Sequence, residues 1–217
     1  MCGRFVMLTP EEVESVVAAV EGRARARLAL GGGAEGEGAR PQARPGSVVP
    51  YVGKGDGAEG LEIAEAVWGF EVPWGKGPVF NTRVESALSG SPMWREAVAG
   101  GRCIVPAAAF FEPHASETAV SPRTGRRVKQ SYEFADPDGG PLLLAGLQAG
   151  GRCSVVTCEP NRWVAPIHPR MPLVLRFEEV PSWLGDDWAE LADRSTVELT
   201  VRPEPPSAPQ PSQLSLF

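Results

Sequence analysis

Cys2, in the opening Met1-Cys2-Gly3-Arg4, carries the most versatile chemistry in the chain. A small side chain at position 2 predicts co-translational loss of Met1, which would leave Cys2 as the terminal residue. Such a residue offers an α-amine and a thiol on adjacent carbons. The reference α-amine pKa is about 7.7–8.0, so roughly a tenth to a third of it is neutral near pH 7–7.5. The amine can attack an aldehyde to form an imine, and the thiol can then close a five-membered thiazolidine. Closure is favoured because the second reactant is already in place. The plainer alternative is that Cys2 packs under a strand, and on position alone that alternative is the commoner one. Cys103 and Cys153 each follow an Arg and read as small core residues on strands. Cys153 and Cys158 are spaced C-x4-C, but the chain has only two histidines, His114 and His168, and no second pair completes a tetrahedral site. No structural zinc and no cofactor is expected. The N-terminus shows no basic segment leading into an apolar one, so neither a secretory signal nor a disulfide framework is expected, and the expected compartment is the cytoplasm.

The elements that must position Cys2 can be read in order. Thr9-Pro10-Glu11-Glu12 is a helix start, with Thr9 as cap, Pro10 in the first turn and Glu12 closing a T-x-x-E box. An Ala/Val-rich helix is predicted from about 10 to 30, followed by a low-complexity loop, GGGAEGEG, over 31–39. Strands are predicted at Ser47–Val52, Leu61–Phe70, Arg102–Phe111, Arg126–Phe134, Pro141–Leu147, Cys153–Cys158 and Pro172–Phe177. Ser91-Pro92 opens a short helix ended by Gly100-Gly101, and a further helix pair lies near 178–193. Strand mostly follows strand. That predicts one compact α+β domain over residues 2–200 with a β-rich, mostly antiparallel core and a few flanking helices, and argues against a doubly wound fold.

Composition excludes other classes. The 217 residues are 42% hydrophobic and 22% charged, which rules out a coiled coil and a wholly disordered chain. No apolar run approaches the ~20 residues that span a bilayer, so no membrane partner is expected. The net charge of −6 is concentrated in residues 178–217, which hold eight acids and two bases. The rest is balanced and leaves room for a basic nucleic-acid groove. Residues 203–211, PEPPSAPQP, hold five prolines, and a linker is predicted over 201–212. The chain then ends in Gln213-Leu214-Ser215-Leu216-Phe217, an apolar end that reads as a short partner-binding peptide.

Five motifs occur in order: MCGRF, WGFEVPW (Trp68 to Trp74), FNTRVES (Phe80 to Ser86), RCIVPAAAFFE (Arg102 to Glu112) and IHPRMPLVL (Ile167 to Leu175). Together they resemble the SRAP family of SOS-response-associated peptidase-like proteins, from residue 2 to about 185. The resemblance implies a DNA repair factor that recognises abasic sites in single-stranded DNA, including at template–primer junctions. It captures the ring-opened sugar as a thiazolidine on Cys2 and so shields the lesion. It implies a monomer with a compact mixed α/β domain, near the nucleoid. The family name records a proposed peptidase activity, used at least to expose Cys2.

Carried over by motif, Cys2 is the nucleophile. Asn81 matches the family asparagine beside it, whose amide holds the amine or a sugar oxygen without changing charge. Outside the motif, Asn81 would read as a turn cap. Glu112 matches a glutamate that shuttles protons during imine formation, and would otherwise read as a solvated strand end. His168 matches a general acid for the sugar ring oxygen, and would otherwise read as a surface or packing residue. Arg4, Arg83 and Arg170 match positions that grip flanking phosphates. Pro45 and Trp74 match apolar surface offered to neighbouring bases. The chain departs from the family pattern at three places. Pro113 stands where a Trp usually follows the glutamate, and Gln42 replaces an asparagine. The last family segment has no recognisable counterpart, which would leave the domain short of a strand or a DNA contact. The tail QLSLF resembles the bacterial sliding-clamp-binding peptide, with Gln213, Leu214, Leu216 and Phe217 as contact residues. Two alternatives stay open: a cysteine peptidase or N-terminal-nucleophile hydrolase using Cys2, and a non-catalytic DNA or clamp adaptor.

Overall fold

The computed structural model describes residues 2–22, 30, 40–55, 60–73, 75 and 77–205. In chain order these form β1 (Phe5–Met7), α1 (Pro10–Val20), β2 (Gln42–Ala43), β3 (Val48–Lys54), β4 (Leu61–Trp68) and β5 (Asn81–Arg83). Then come α2 (Val84–Leu88), α3 (Arg95–Gly100), β6 (Arg102–Val120), β7 (Arg127–Ala135), β8 (Leu142–Ala149) and β9 (Arg152–Cys158). The chain closes with β10 (Met171–Pro172), β11 (Val174–Leu175), α4 (Val180–Leu184) and β12 (Thr200–Pro203), with 3-10 turns at Phe177–Glu179 and Asp186–Ala192. This is the expected α+β class.

The strands share one sheet in the order β11-β8-β9-β4-β3-β6-β1-β2, and β6 also pairs with β8. That extra pairing closes β8-β9-β4-β3-β6 into a five-stranded ring, so none of these five strands is left as an open edge. Two pairings, β4 with β9 and β5 with β9, are parallel, and the others among the described residues are antiparallel. The β8 sequence LLLAGLQA is buried along its first six residues, the signature of a strand covered on both faces. Trp68, Phe5, Ile104, Leu144 and Val155 are fully buried in the core, and the rings of Phe5 and Trp68 lie 4.8 Å apart. Trp68 Nε1 donates to Phe80 O at 2.8 Å, so the largest core residue leaves no orphan donor.

Local chemistry explains the element ends. Glu12 N donates to Thr9 Oγ1 at 3.3 Å and Thr9 N to Glu12 Oε2 at 2.9 Å, the reciprocal capping box read from the sequence. The helix stops well short of residue 30. Gly22 takes φ +70° with its N–H bonded to Ala19 O, a left-handed stop that glycine adopts without strain. Residues 23–29 and the loop 31–39 lie outside the described residues. The strand expected at 172–177 is two short ones. Between them Leu173 N donates to Val156 O in β9, and Leu173 O accepts from Ala145 N in β8, so the chain switches partners there. The helix expected from Ser91 opens as a turn, with Trp94 N and Arg95 N donating to Ser91 O, before α3 proper. Arg102 donates to Trp183 O at 2.8 Å and Gly185 O at 2.7 Å, filling carbonyls left open at the end of α4.

Two further expectations are corrected. Strand β6 does not end at Phe111 but runs to Val120, because Pro113 sits at a shift in register against β7 where its missing N–H is tolerated. The linker does not begin at 201. Thr200–Pro203 pair with Ala135–Tyr132 of β7, and Glu204 N donates to Ser131 O. Strand β12 is thus an edge strand, where a proline is acceptable. Among the described residues no helix is long and apolar enough to cross a membrane.

The α3–β6 corner gives a direct check on this packing. A Cβ on Gly101 would lie 1.9 Å from Gln148 O, a backbone atom that cannot step aside. Gly101→Ala should therefore destabilise the fold by about 1–3 kcal/mol or more, read as a lower denaturation midpoint at unchanged m-value.

Candidate active site

Three elements converge on Cys2. The β1 strand pairs with β6 so that Phe5 faces Phe110, and Phe111 N donates to Arg4 O at 3.0 Å. This register carries residues 2–4 along β6 toward Glu112. The short β5 lies parallel to β9, with Asn81 opposite Val155, and delivers Asn81 to the same place. Asn81 Nδ2 donates to Cys2 O at 2.7 Å, and Asn81 Oδ1 has no hydrogen-bond partner among the described residues. The Cys2 thiol donates to Arg4 O at 3.6 Å. Cys2 and Glu112 are fully buried, and Asn81 is nearly so.

His168 arrives on a loop that sequence reading did not resolve. Asn161 is buried and ties that loop down: its Oδ1 accepts from Trp163 N and Val164 N, and its Nδ2 donates to Val197 O at 2.8 Å. The signal was present, since an Asn ahead of a turn commonly bonds the backbone two residues on. His168 Nδ1 is 2.8 Å from Arg170 O. Arg170 N also lies 3.2 Å from Nδ1, but the shorter contact is met by a proton on Nδ1, which leaves Nε2 unprotonated, 3.7 Å from Glu112 Oε2.

The electrostatics favour neutral groups. Burial pushes the Glu112 carboxyl up to about 7. Burial also holds His168 below its ordinary value. The Cys2 thiol is pushed far up, first by burial and then by the neighbouring Glu112 charge. Near neutral pH the site therefore holds a thiol, a neutral imidazole and a carboxyl close to half-protonation. Glu112 and His168 are placed to exchange a proton after a small approach.

The arginines are differently placed. Arg170 is largely buried and makes a two-pronged bond to Glu85, Nη1 to Oε1 at 2.7 Å and Nη2 to Oε2 at 2.8 Å. It also reaches Glu159 Oε1 at 3.0 Å and Thr157 O at 2.8 Å. Arg4 lies over the Phe111 ring, 3.8 Å from its centre. It donates to Glu204 Oε1 at 2.6 Å, to Ser131 Oγ at 2.9 Å and to Gln42 Oε1 at 3.2 Å. Both guanidinium forks thus hold carboxylates, and a phosphate would have to compete with them. Glu85, Glu204 and Ser131 carry no sequence signal, because their partners lie 85 to 200 residues away. Arg83 is exposed beside Asn81, at the start of α2. Pro45 is half-buried in the turn Arg44–Ser47, where Ser47 N donates to Arg44 O and Gly46 takes φ +94°. Trp74 and the tail residues Gln213, Leu214, Leu216 and Phe217 lie outside the described residues.

The motif residues Cys2, Asn81, Glu112 and His168 therefore meet in one place. A family model described as SOS response associated peptidase (SRAP) matches residues 1–207. The chain belongs to the SRAP family. It is 30% identical over 132 residues to the abasic site processing protein YoqW of Bacillus subtilis (strain 168), and equally to that of Bacillus phage SPbeta, covering 54% of this chain and 55% of theirs. It is 29% identical over 132 residues to the abasic site processing protein YoaM of Bacillus subtilis (strain 168), covering 54% of each chain. The chain spans about half the length of these curated relatives. Among solved structures it is similar to a phage-related protein from Bordetella bronchiseptica, with a TM-score of 0.66 at 21% identity over 94% of each chain. A protein from Bacteroides thetaiotaomicron gives 0.58 at 20% identity, over 75% of this chain and 76% of that one. These two likenesses carry the fold alone.

Proposed function

We propose that this SRAP-family chain captures abasic sites in single-stranded DNA as a thiazolidine on Cys2 and so shields the lesion during repair. One observation carries the reading: Asn81 Nδ2 holds the Cys2 backbone oxygen, and Glu112 and His168 lie beside it with 3.7 Å between Oε2 and Nε2. The names of the relatives, abasic site processing proteins, support the substrate class.

The chemistry follows from the groups present. With Met1 removed, the Cys2 amine adds to the aldehyde of the ring-opened sugar, and loss of one water gives an imine. The thiol then adds across that C=N bond; sulfur bonds to carbon and the thiol proton passes to nitrogen. Glu112, near half-protonation at neutral pH, suits both the protonation of the departing hydroxyl and the return of the proton. His168 Nε2 is placed to pass a proton to the sugar ring oxygen once Glu112 supplies it. Asn81 keeps the Cys2 backbone oriented, and its free Oδ1 suits an amine or sugar hydroxyl. Arg83 suits a flanking phosphate, and Arg4 and Arg170 suit phosphates that displace Glu204 and Glu85. The raised thiol pKa counts against the peptidase reading, which needs a thiolate at the start. The QLSLF tail is proposed to tether the domain to a replication clamp and raise its local concentration there.

The test is intact-mass and denaturing-gel analysis of protein mixed with an abasic single-stranded oligonucleotide. The expected product is heat-stable, with the mass of the Met1-free protein plus the oligonucleotide less one water. It is absent with undamaged DNA. A protein that has lost Met1 yet forms no such product would overturn the reading.

A further inference from the structure

We infer that strand β12 is an autoinhibitory strap: it keeps the Glu204 carboxylate in the seat of Arg4, and a phosphate of the captured strand must displace it. The inference rests on reading the Cys2 site as a DNA site and adds a control over entry to it. Arg4 is caged from three sides. Its guanidinium donates to Glu204, the residue after β12, through both Nη1 and Nη2. It also donates to Ser131 Oγ on β7 at 2.9 Å and to Gln42 Oε1 on β2 at 3.2 Å. The cage stands next to the nucleophile. Arg4 O accepts from the Cys2 thiol and from Phe111 N, and the guanidinium covers the Phe111 ring beside Glu112.

Glu204 occupies that cage as a stand-in for a phosphodiester. A guanidinium fork meets a carboxylate with the same two parallel N–H···O bonds that it offers two phosphate oxygens. Burial raises the Glu204 pKa, but the Arg4 bond and charge, with the Ser131 hydroxyl, outweigh it and hold the carboxyl below its ordinary value. Glu204 is therefore charged at neutral pH and competes for Arg4 as an anion. Phosphate and carboxylate cannot both fill one fork, so the closed form described by the structure is the form that does not hold DNA at Arg4.

The strap is built to let go. Among the described residues β12 pairs with β7 alone, is four residues long and lies half-buried to exposed along its length. Past Pro203 its end is pinned by two bonds, Glu204 N to Ser131 O at 2.8 Å and Gln130 Nε2 to Glu204 O at 2.9 Å. The backbone is thus anchored beside Arg4 while the carboxylate can turn away on its own side chain. Arg170 and Glu85 make the contrast. That pair lies deeper, with Arg170 buried and also bonded to Glu159 and to Thr157 O, so it holds the fold as well as the charge. A partly exposed ion pair is a weak tether. A polynucleotide brings several phosphates at once and wins the contest, whereas an isolated anion arrives with one contact. The strap therefore sets a threshold that a strand passes and a small anion does not.

The test is a double-mutant cycle on the full chain. Binding of an undamaged single-stranded oligonucleotide is measured by fluorescence anisotropy at about 150 mM salt, where exposed charges are screened beyond ~8 Å. Capture of the abasic strand is followed in parallel. Glu204→Gln, which keeps the shape and removes the charge, should tighten binding about three- to tenfold. Glu204→Ala should show the same gain. In an Arg4→Gln background the Glu204→Gln gain should fall below about twofold, because no arginine is left to release and the freed carboxylate turns to solvent. The DNA concentration for half-maximal capture should fall by the same factor in Glu204→Gln, with the limiting rate unchanged. Equal gains with and without Arg4 would mean general repulsion of DNA and would overturn the strap. Weaker binding in Glu204→Gln would mean that Glu204 positions Arg4 for DNA, and would overturn it too. The expected cycle in a protein that captures no aldehyde keeps the strap and sinks the capture chemistry. Capture without the cycle does the converse.

Discussion

At pH 8, Glu112→Gln melts higher than the wild type by roughly 6–12 °C, since a chain of this size gains about 2–4 °C per kcal/mol. The cause is the buried carboxyl. Its pKa is about 7 in the folded protein, against an ordinary value of 4.5. The folded chain therefore binds a proton through the window 4.5–7 that the unfolded chain has released. The stability this proton confers is fully present below the ordinary value and is lost as pH rises through the folded one, about 3 kcal/mol in all. Gln is neutral throughout, so its advantage is full at pH 8 and has shrunk to about a quarter by pH 5. A trend of opposite sign should remain in the variant. His168, held below its ordinary 6.5 by burial, is neutral in the fold, and stability falls as pH drops below 6.5. The same variant should slow adduct formation by about 10²–10⁴, the range for loss of a positioned proton carrier. Thermal melts from pH 5 to 8, with single-turnover capture rates, check both halves. Higher stability with lower activity is the pattern of a group retained for chemistry against the fold's preference. A Gln variant no more stable at pH 8 would mean that the carboxylate is compensated in the fold.

The sequence disclosed most where signals are local. The box at Thr9 needs only four residues, and β8 announces itself as a continuous apolar run. Ring closure through β6 and β8 was not legible, because it joins segments about 40 residues apart and depends on which strands meet rather than on any one strand's pattern. Three-residue β5 is too short to show a period of two, although it positions Asn81. Strand β12 was hidden by the prolines at and after its end: PEPP reads as linker, yet Thr200–Pro203 pair with β7 and Glu204 accepts from Arg4. In the site, Cys2, Asn81, Glu112 and His168 were legible only as an ordered set of motifs. Each taken alone had a duller reading. That Arg4 and Arg170 already hold carboxylates was invisible, since the partners are fixed by the fold.

Cys2→Ala loses the heat-stable adduct entirely, a drop of at least roughly 10³-fold, small beside the ~10⁵–10⁸ M effective concentrations of well-oriented intramolecular reactions. The substitution is clean. Asn81 bonds the backbone oxygen of Cys2 and not its thiol, so residue 2 stays in place. Alanine also suits a fully buried position, where serine would bring in a hydroxyl needing a partner. It is small enough to preserve loss of Met1, so the α-amine remains. The variant should therefore still form the imine, which hydrolyses on heating because no thiol closes the ring. Adding borohydride during the reaction should trap it as a secondary amine, with the mass of protein plus DNA less one water plus two hydrogens. The three readings of Cys2 then separate. Aldehyde capture predicts a borohydride-dependent adduct in Cys2→Ala and a borohydride-independent one in the wild type. A peptidase using the thiol alone predicts neither. An adaptor for which Cys2 is incidental predicts that wild type and variant behave alike. A heat-stable adduct from Cys2→Ala without borohydride would exclude the thiazolidine, and the attachment would have to lie on another nucleophile.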